Sequence, residues 1–253
     1  MFSLIKENSN RFLTGIVLLV VVLAVAFIDN YFLTWLFLGV VFMFAFYEAL
    51  KLFNMLNHNN LFFWAVLLWI VAYFYPNPDD LFFIVAIVFA SFLAYHKEYD
   101  RRNFLPFLYP ASSFLFIFSL YHDFGMDALI WLLIVVASTD IGAFFVGKLV
   151  GKRKFSSISP NKTVEGVIGG VVIATILGSY YALILVDTPY ALIISFFTSI
   201  ASIFGDLFES YLKRRAGVKD SGKILPGHGG VLDRVDSYLF AAPVMVILLR
   251  GLL

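Results

Sequence analysis

The sequence has no cysteine, and it is poor in charge. The absence of cysteine among its 253 residues excludes disulfide bonds, thiolate metal ligands and a cysteine nucleophile. Charged residues make up only 14% of the chain, whereas 61% of its residues are hydrophobic and the mean hydropathy is +0.90. A soluble domain of this length could not cover so much apolar surface. The composition therefore predicts an integral membrane protein.

Nine apolar segments predict an all-α, polytopic membrane protein with about nine transmembrane helices. They lie near 12–28, 31–50, 61–75, 81–95, 104–120, 127–147, 164–186, 189–212 and 235–252. The first segment is interpreted as an uncleaved helix rather than a signal peptide, because it is long enough to span and further apolar segments follow it. The segments 61–75 and 81–95 are short for a full span, so a re-entrant pair is the alternative there.

The loops between these segments divide the charges by sign. Except for Arg250, the 18 lysines and arginines lie in alternate loops, at 1–11, near Lys51, and at 96–103, 148–163 and 213–234. The opposite loops carry aspartates and neither lysine nor arginine. Because lysine and arginine accumulate in cytoplasmic loops, the N-terminus and the basic loops are predicted to face the cytoplasm, with the protein in the inner (plasma) membrane.

The two halves of the chain differ in content. Residues 1–125 are predicted to form apolar transmembrane helices in which Glu48 is the main exception. Residues 126–253 are predicted to form the transmembrane helices that carry the polar chemistry and a site on the cytoplasmic face. The sequence shows no internal repeat.

Charge is concentrated in the stretch from Gly205 to Ser237, which lies between two apolar segments. On the predicted helix before the loop, the spacing i, i+3, i+4, i+7 puts four polar residues on one face: Asp206, Glu209, Ser210 and Lys213. The loop that follows contains Arg214, Lys219, Asp220, His228, Gly229 and Gly230, and the next helix begins with Asp233, Arg234 and Asp236. Charges next to membrane-spanning sequence are costly, so this stretch is the predicted site.

Carboxylates in the absence of cysteine favour a hard cation, above all Mg²⁺. Mg²⁺ held by few carboxylates completes its shell with substrate phosphates, and Lys, Arg and backbone N–H groups bind the remaining phosphate charge. The pattern thus predicts metal-assisted phosphoryl chemistry. Three alternatives stay open: Asp233 and Asp236 cap their helix, Asp220 pairs with Lys219 instead of binding metal, and His228 braces the loop instead of binding phosphate.

Two features upstream are predicted to complete the site. Asp140 lies inside the predicted helix 127–147, nearer its cytoplasmic end, where a carboxylate needs a partner, a proton or a metal. The alternative is a carboxyl that only packs helices together. Lys162 precedes Thr163, a predicted helix N-cap, and a lysine beside a helix N-terminus suits a phosphate.

The motif from Ser210 to Asp236 resembles the signature of a known family. It reads Ser210-x-Leu212-Lys213-Arg214-x₄-Lys219-Asp220-x-Gly222-x₂-Leu225-Pro226-x-His228-Gly229-Gly230-Val231-x-Asp233-Arg234-Val235-Asp236, and it fills every position of the signature of the phosphatidate cytidylyltransferase (CDP-diacylglycerol synthase) family. The segments Ser138–Ala143 and Ser159–Gly166 are also similar to family segments, with Val164 where the family more often has Trp. The similar motifs cover about residues 138–237.

The resemblance implies that CTP and phosphatidate react to CDP-diacylglycerol and pyrophosphate in a homodimeric enzyme of the lipid bilayer, with no nucleic acid as partner. It implies a divalent metal on Asp206, Asp233 and Asp236, with Asp220 as a further candidate ligand, and it leaves open a monovalent cation beside that metal. With Lys219, the three aspartates Asp206, Asp233 and Asp236 are the predicted catalytic residues. Phosphate and nucleotide are predicted to bind Lys162, Ser210, Lys213, Arg214, His228, Gly229, Gly230 and Arg234, supported by Asp140 and Glu209.

Three other functions are alternatives to this prediction. A transferase of another lipid phosphate, such as one that moves a sugar phosphate, would use a different nucleotide. An ion-coupled transporter with Asp140, Asp206 and Glu209 as its coupling site would be expected to contain inverted repeats. A structural membrane scaffold would leave the cluster of acids and bases unexplained.

Overall fold

The computed structural model of the chain describes residues 2–56, 59–96 and 100–253, with side chains for 13–56, 60–96 and 100–253. The side chains of Lys6 and Arg11 and residues 97–99 of the predicted loop 96–103 lie outside this part. In the described residues all regular structure is helical, which confirms the predicted all-α class. The helices are α1 (Phe2–Ile28), α2 (Tyr31–Leu52), α3 (Asn59–Phe74), α4 (Leu81–Tyr95), α5 (Ser112–Val150), α6 (Val164–Ala182), α7 (Thr188–Arg215) and α8 (Leu232–Leu252).

The predicted fifth and sixth helices form one element that is broken at Gly125. A straight 39-residue helix such as α5 would be about 58 Å long, nearly twice the roughly 30 Å of a hydrocarbon core. Gly125 interrupts α5 with φ 75° and ψ −172°, a conformation that glycine adopts at low steric cost. The predicted segment near 104–120 begins with irregular helix: Phe107–Ala111 is a π-helical turn, and proline at 106 and 110 lacks the N–H that an α-helix interior needs.

Six helical stretches in the described residues are long and apolar enough to cross a membrane, judged by length and composition alone. They are Tyr31–Leu52, Pro78–Tyr95, Arg101–Val150, Val164–Ala182, Thr188–Arg215 and Leu232–Leu252. Two shorter apolar helices lie at Leu13–Ile28 and Asn60–Phe74. The chain is therefore a multi-pass helical protein of the kind found in membranes.

The polypeptide forms two compact units, each of which combines two segments of the chain. One contains Met1–Phe118 and Ala216–Val235, and the other contains Ser119–Arg215 and Asp236–Leu253. The division into residues 1–125 and 126–253 that was predicted from the sequence separates apolar helices from helices with polar residues, and it stays a prediction.

The first unit is built around buried aromatic side chains. Phe42 on α2 lies 5.3 Å, centroid to centroid, from both Trp69 on α3 and Phe114 on α5, and Trp69 lies 5.5 Å from Phe118. All four are at most 4% exposed. Offset and tilted ring pairs at such distances stabilise a core beyond the burial of their area.

In the second unit, glycines allow α6 to pack against the backbone of α5. A Cβ on Gly166 would lie 2.6 Å from the carbonyl oxygen of Ala143, and one on Gly170 would lie 2.6 Å from that of Thr139. The role of these glycines is thus close helix packing. Thr163 caps α6 by accepting a hydrogen bond from the Gly166 N–H at 3.1 Å, which confirms the predicted N-cap.

Candidate active site

The polar residues predicted on one face of α7 contact one another along the helix. The Ser210 hydroxyl donates a hydrogen bond of 3.4 Å to Oδ1 of Asp206, one turn earlier. Glu209 is fully buried and forms an ion pair with Lys213, whose side chain is 12% exposed. These pairs follow directly from the spacing of four residues. Lys213 thus lies beside a carboxylate that has no exposure of its own.

The loop between α5 and α6 brings Lys162 to this face. The loop folds back on itself: the Phe155 N–H donates to the Lys162 carbonyl at 2.8 Å, and the Val164 N–H donates to the Arg153 carbonyl at 2.9 Å. Glu165, in the first turn of α6, accepts hydrogen bonds from the backbone N–H groups of the two residues at the start of the loop, Lys152 and Arg153. Held in this way, Lys162 forms an ion pair with Oδ2 of Asp206.

Three carboxylates from three helices gather in the second unit. Asp140 on α5 is close enough to interact electrostatically with Asp206 on α7, and Asp236 on α8 interacts with both of them. We call Asp140, Asp206 and Asp236 the carboxylate cluster. The approach of α7 to α8 depends on Gly205, where a Cβ would lie only 2.6 Å from the backbone oxygen of Asp236.

Positive charge accompanies the carboxylate cluster. Lys162 interacts with Asp140 as well as with Asp206, and Lys213 interacts with Asp236. In the part of the chain that the structure describes, no three or more histidine, aspartate or glutamate side chains converge closely enough to ligate one metal ion. Mg²⁺, however, is usually bound by one or two carboxylates together with phosphates and water. The donor set of the cluster fits a hard cation of this kind, and Lys162 provides positive charge at the same carboxylates.

In the first unit, Asp233 holds the glycine-rich loop closed. Its carboxylate accepts hydrogen bonds from the N–H groups of Ser221, at 3.0 and 3.2 Å, and of Gly230, at 2.7 Å. Gly229 has φ +81°, a left-handed conformation that favours glycine. Arg234 donates two hydrogen bonds, at 3.1 and 2.8 Å, to the carbonyl oxygen of His228. The loop is therefore braced by the first residues of α8.

The remaining predicted residues of the stretch face the solvent side of their own units. Arg214, near the end of α7, is exposed, and so are Lys219 and Asp220 in the loop. No ion pair between Lys219 and Asp220 occurs among the salt bridges of the described residues. Exposed cations of this kind are accessible to a polyanionic ligand from solution.

Sequence reasoning missed one buried carboxylate that contacts the loop. Glu48 on α2 is 1% exposed, and its Oε2 accepts hydrogen bonds from the Ser221 hydroxyl at 3.0 Å and the Leu232 N–H at 2.7 Å. A signal was present, because an ionisable residue in an otherwise apolar segment is a functional hypothesis by default. Its partner, however, lies more than 170 residues away in the chain.

The sequence pattern of the cytidylyltransferase family matches residues 9–252 of the chain. The chain belongs to this family. The recognition made from the sequence motifs is thereby confirmed, as is the prediction that the protein is an enzyme of the nucleotidyltransferase class.

Curated relatives extend this similarity over nearly the whole chain. The phosphatidate cytidylyltransferase of Helicobacter pylori strain J99 is 49% identical over 98% of this chain and 93% of its own length. That of Thermotoga maritima is 35% identical over 81% of this chain and 83% of its own. That of Bacillus subtilis is 50% identical over 50% of this chain and 49% of its own. The similarity thus includes the apolar N-terminal half, where the motifs gave no signal.

Proposed function

We propose that the protein transfers a cytidylyl group from CTP to phosphatidate, giving CDP-diacylglycerol and pyrophosphate. The observation that carries the proposal is the carboxylate cluster with Lys162 and Lys213 beside it, which has the charge pattern of a site for a metal-bound polyphosphate. The activity in the names of the similar H. pylori and T. maritima proteins supports the same reaction and supplies the two substrates.

We propose nine spans with the N-terminus in the cytoplasm and the site at the cytoplasmic face of the inner membrane. The six candidate spans, the two shorter apolar helices and the second helix that begins after Gly125 together make nine among the described residues. The distribution of lysine and arginine supports the orientation. At such a face a soluble nucleotide can meet a lipid headgroup. A homodimer is a further prediction, which the mass of the protein in detergent would test.

In the proposed reaction, a phosphate oxygen of phosphatidate attacks the α-phosphorus of CTP. A bond forms between that oxygen and the α-phosphorus, and the bond from the α-phosphorus to the bridging oxygen of the β-phosphate breaks, so pyrophosphate leaves. The attacking oxygen is already anionic, and no side chain has to remove a proton. The chain's task is to align two polyanions and to offset their charge.

The proposed roles follow the positions of the side chains. Asp206 and Asp236 would hold Mg²⁺, with Asp233 and Asp220 as further ligands predicted from the sequence. Bound Mg²⁺ would act as a Lewis acid toward phosphate oxygens. Lys162 and Lys213 are placed next to the carboxylates and would bind phosphate oxygens as these arrive. The remaining residues predicted from the sequence are proposed to contact the triphosphate: Ser210 and Arg214 on α7, Lys219, His228, Gly229 and Gly230 in the loop, and Arg234 on α8.

Turnover by the purified protein in detergent tests the proposal directly. With phosphatidate, Mg²⁺ and each of CTP, ATP, GTP and UTP in turn, release of pyrophosphate together with a nucleoside-diphosphate diacylglycerol is expected from CTP alone. Removing a charged group that acts mainly in the transition state commonly costs a hundredfold or more in kcat, so Asp236→Asn is expected to lose about that factor. Asp187→Asn, an acid at the start of α7 away from the cluster, is the control. Turnover with another nucleotide would refute the assignment of CTP, and an active Asp236→Asn variant would refute the metal role.

A further inference from the structure

Glu48 is the carboxylate around which the end of the glycine-rich loop is assembled. One of its oxygens, Oε2, accepts from both the Ser221 hydroxyl and the Leu232 N–H. The other, Oε1, has no hydrogen-bond donor within the described residues. Ser221 and Leu232 are themselves buried, at 2% and 0% exposure. A buried carboxylate in apolar surroundings is costly unless it is hydrogen-bonded, so these two bonds offset part of the cost of burying Glu48 and join it to the loop.

Two glycines of the loop lie against the same carboxylate. A Cβ on Gly222 would fall 2.0 Å from Oε1 of Glu48, and one on Gly230 would fall 2.4 Å from Oε2. Neither distance is possible for a real Cβ, so the loop backbone lies directly on Glu48. These glycines belong to the sequence motif, and the contact gives a physical reason for glycine at both positions.

The loop is thus fixed by two carboxylates that share Ser221 as a donor. Asp233 accepts the backbone N–H groups of Ser221 and Gly230, while Glu48 accepts the Ser221 hydroxyl and the Leu232 N–H. The Asp233 bonds close the loop on itself, within 12 residues of chain. The Glu48 bonds are the ones that attach the closed loop to α2.

We propose that Glu48 is a positioning residue for catalysis: it holds the loop from Ser221 to Val231 in the conformation that binds the phosphates of CTP. The inference rests on the proposed function, because it assigns a role to Glu48 in that reaction. Glu48 itself touches neither substrate. It determines the positions of the loop N–H groups and cations that bind the nucleotide.

The first test compares Glu48→Ala, Glu48→Gln and wild type by steady-state kinetics with Mg²⁺ and CTP. Losing hydrogen bonds to a buried carboxylate is expected to raise KM for CTP in Glu48→Ala by about tenfold or more, with a smaller change in kcat. Glu48→Gln keeps an oxygen that can accept from Ser221 and Leu232, and it is expected to restore most of the affinity. The pattern of KM and kcat, with rescue by glutamine, separates positioning from a general loss of folding.

The second test measures hydrogen exchange without any substrate. In Glu48→Ala, the N–H groups of residues 221–231 are expected to exchange at least about tenfold faster, since their protection depends on the loop staying attached to α2. Those of α6 are expected to exchange as in wild type. Unchanged exchange in the loop would overturn the proposal. Faster exchange throughout the chain in both Glu48→Ala and Glu48→Gln would also overturn it, because Glu48 would then be a residue of global stability.

The third test uses the contact with Gly222. Gly222→Ala alone is expected to lose activity through its clash with the Glu48 carboxylate, whereas the double variant with Glu48→Ala is expected to lose no more than Glu48→Ala alone. Gly251→Ala, which has open space around it, is the matched control and is expected to behave as wild type. Independent, additive losses would refute the contact. If wild type showed no CTP-dependent turnover while the loop exchange still depended on Glu48, the proposed function would fail and the loop attachment would stand.

Discussion

Replacing Lys162 by methionine should strengthen metal binding and weaken nucleotide binding at the same time. The Lys162 ammonium lies on Asp206, and the two side chains are 21% and 25% exposed. Two unit charges about 4 Å apart interact by roughly 1 kcal/mol in water and by roughly 4 kcal/mol at an effective dielectric of 20. The partial exposure of the pair favours the lower value. A divalent ion on the same carboxylate would feel twice this repulsion, about 2 kcal/mol, which corresponds to about thirtyfold in affinity.

The assay for the metal needs no nucleotide. Mn²⁺ is a paramagnetic substitute for Mg²⁺, and its free concentration in detergent solution can be read by electron paramagnetic resonance. The Kd for Mn²⁺ is expected to fall about thirtyfold in Lys162→Met. In contrast, KM for CTP is expected to rise at least tenfold, because a charge-assisted hydrogen bond to phosphate is lost. Lys152→Met, which removes an exposed cation from the same loop, is the control and should change neither value.

The experiment is decisive because Lys162→Met is expected to raise the affinity for Mn²⁺ and to lower the affinity for CTP. If Lys162 only stabilised the fold, both affinities would fall together. If Mn²⁺ affinity were unchanged, the ammonium would not compete with a cation at Asp206, and the proposed metal role of that carboxylate would be refuted. Thermal unfolding of each variant in detergent would show whether the protein remains folded while these constants are measured.

Two further predictions concern the second unit. Gly205→Ala would force α7 and α8 apart at the Asp236 carbonyl. It should therefore abolish most turnover and lower the free energy of unfolding, measured by thermal unfolding, by about 1–3 kcal/mol. An active, stable variant would contradict the close packing of the two helices. Arg250 donates to Asp123 at 2.6 and 2.9 Å, but both side chains are partly exposed. Arg250→Gln should therefore lower the free energy of unfolding by less than about 1 kcal/mol and leave KM for CTP unchanged. A larger effect on either quantity would show that this ion pair has another role.

Long apolar runs predicted most of the fold, because length and hydropathy are the properties that a membrane selects. The division near Gly125 was predictable from local residue types. His122, Asp123 and Gly125 are polar or helix-breaking, and the structure interrupts α5 at Gly125, between the predicted segments 104–120 and 127–147. The irregular turn before α5 was not predictable in the same way, since the residues around Pro110 are as apolar as those of a helix while the proline prevents a regular one.

Within the site, the sequence predicted what helical spacing determines. The contacts of Ser210 with Asp206 and of Glu209 with Lys213 are each four residues apart. The ion pair between Lys162 and Asp206 and the attachment of the loop to Glu48 depend on tertiary packing over long separations, for which a single sequence contains no measure. Asp140 is an intermediate case: its depth in the helix indicated that it needs a partner, but the partner's identity came only from the structure.

The charges of the carboxylate cluster, taken together with those of Glu209, Lys162 and Lys213, give a further reason to expect a divalent cation there. When ionised, Asp140, Asp206, Glu209 and Asp236 carry four negative charges, and Lys162 and Lys213 supply two positive ones. The excess of two negative charges equals the charge of one Mg²⁺. Lipid-like surroundings penalise such an excess, and an arriving phosphate would add to it. A divalent ion that enters with the nucleotide would offset the excess, and Lys162 would then be free to move from Asp206 to the phosphates. The lysine and the metal ion would then alternate at the same carboxylate, and removing the lysine would strengthen the binding of the metal ion while it weakens the binding of the nucleotide.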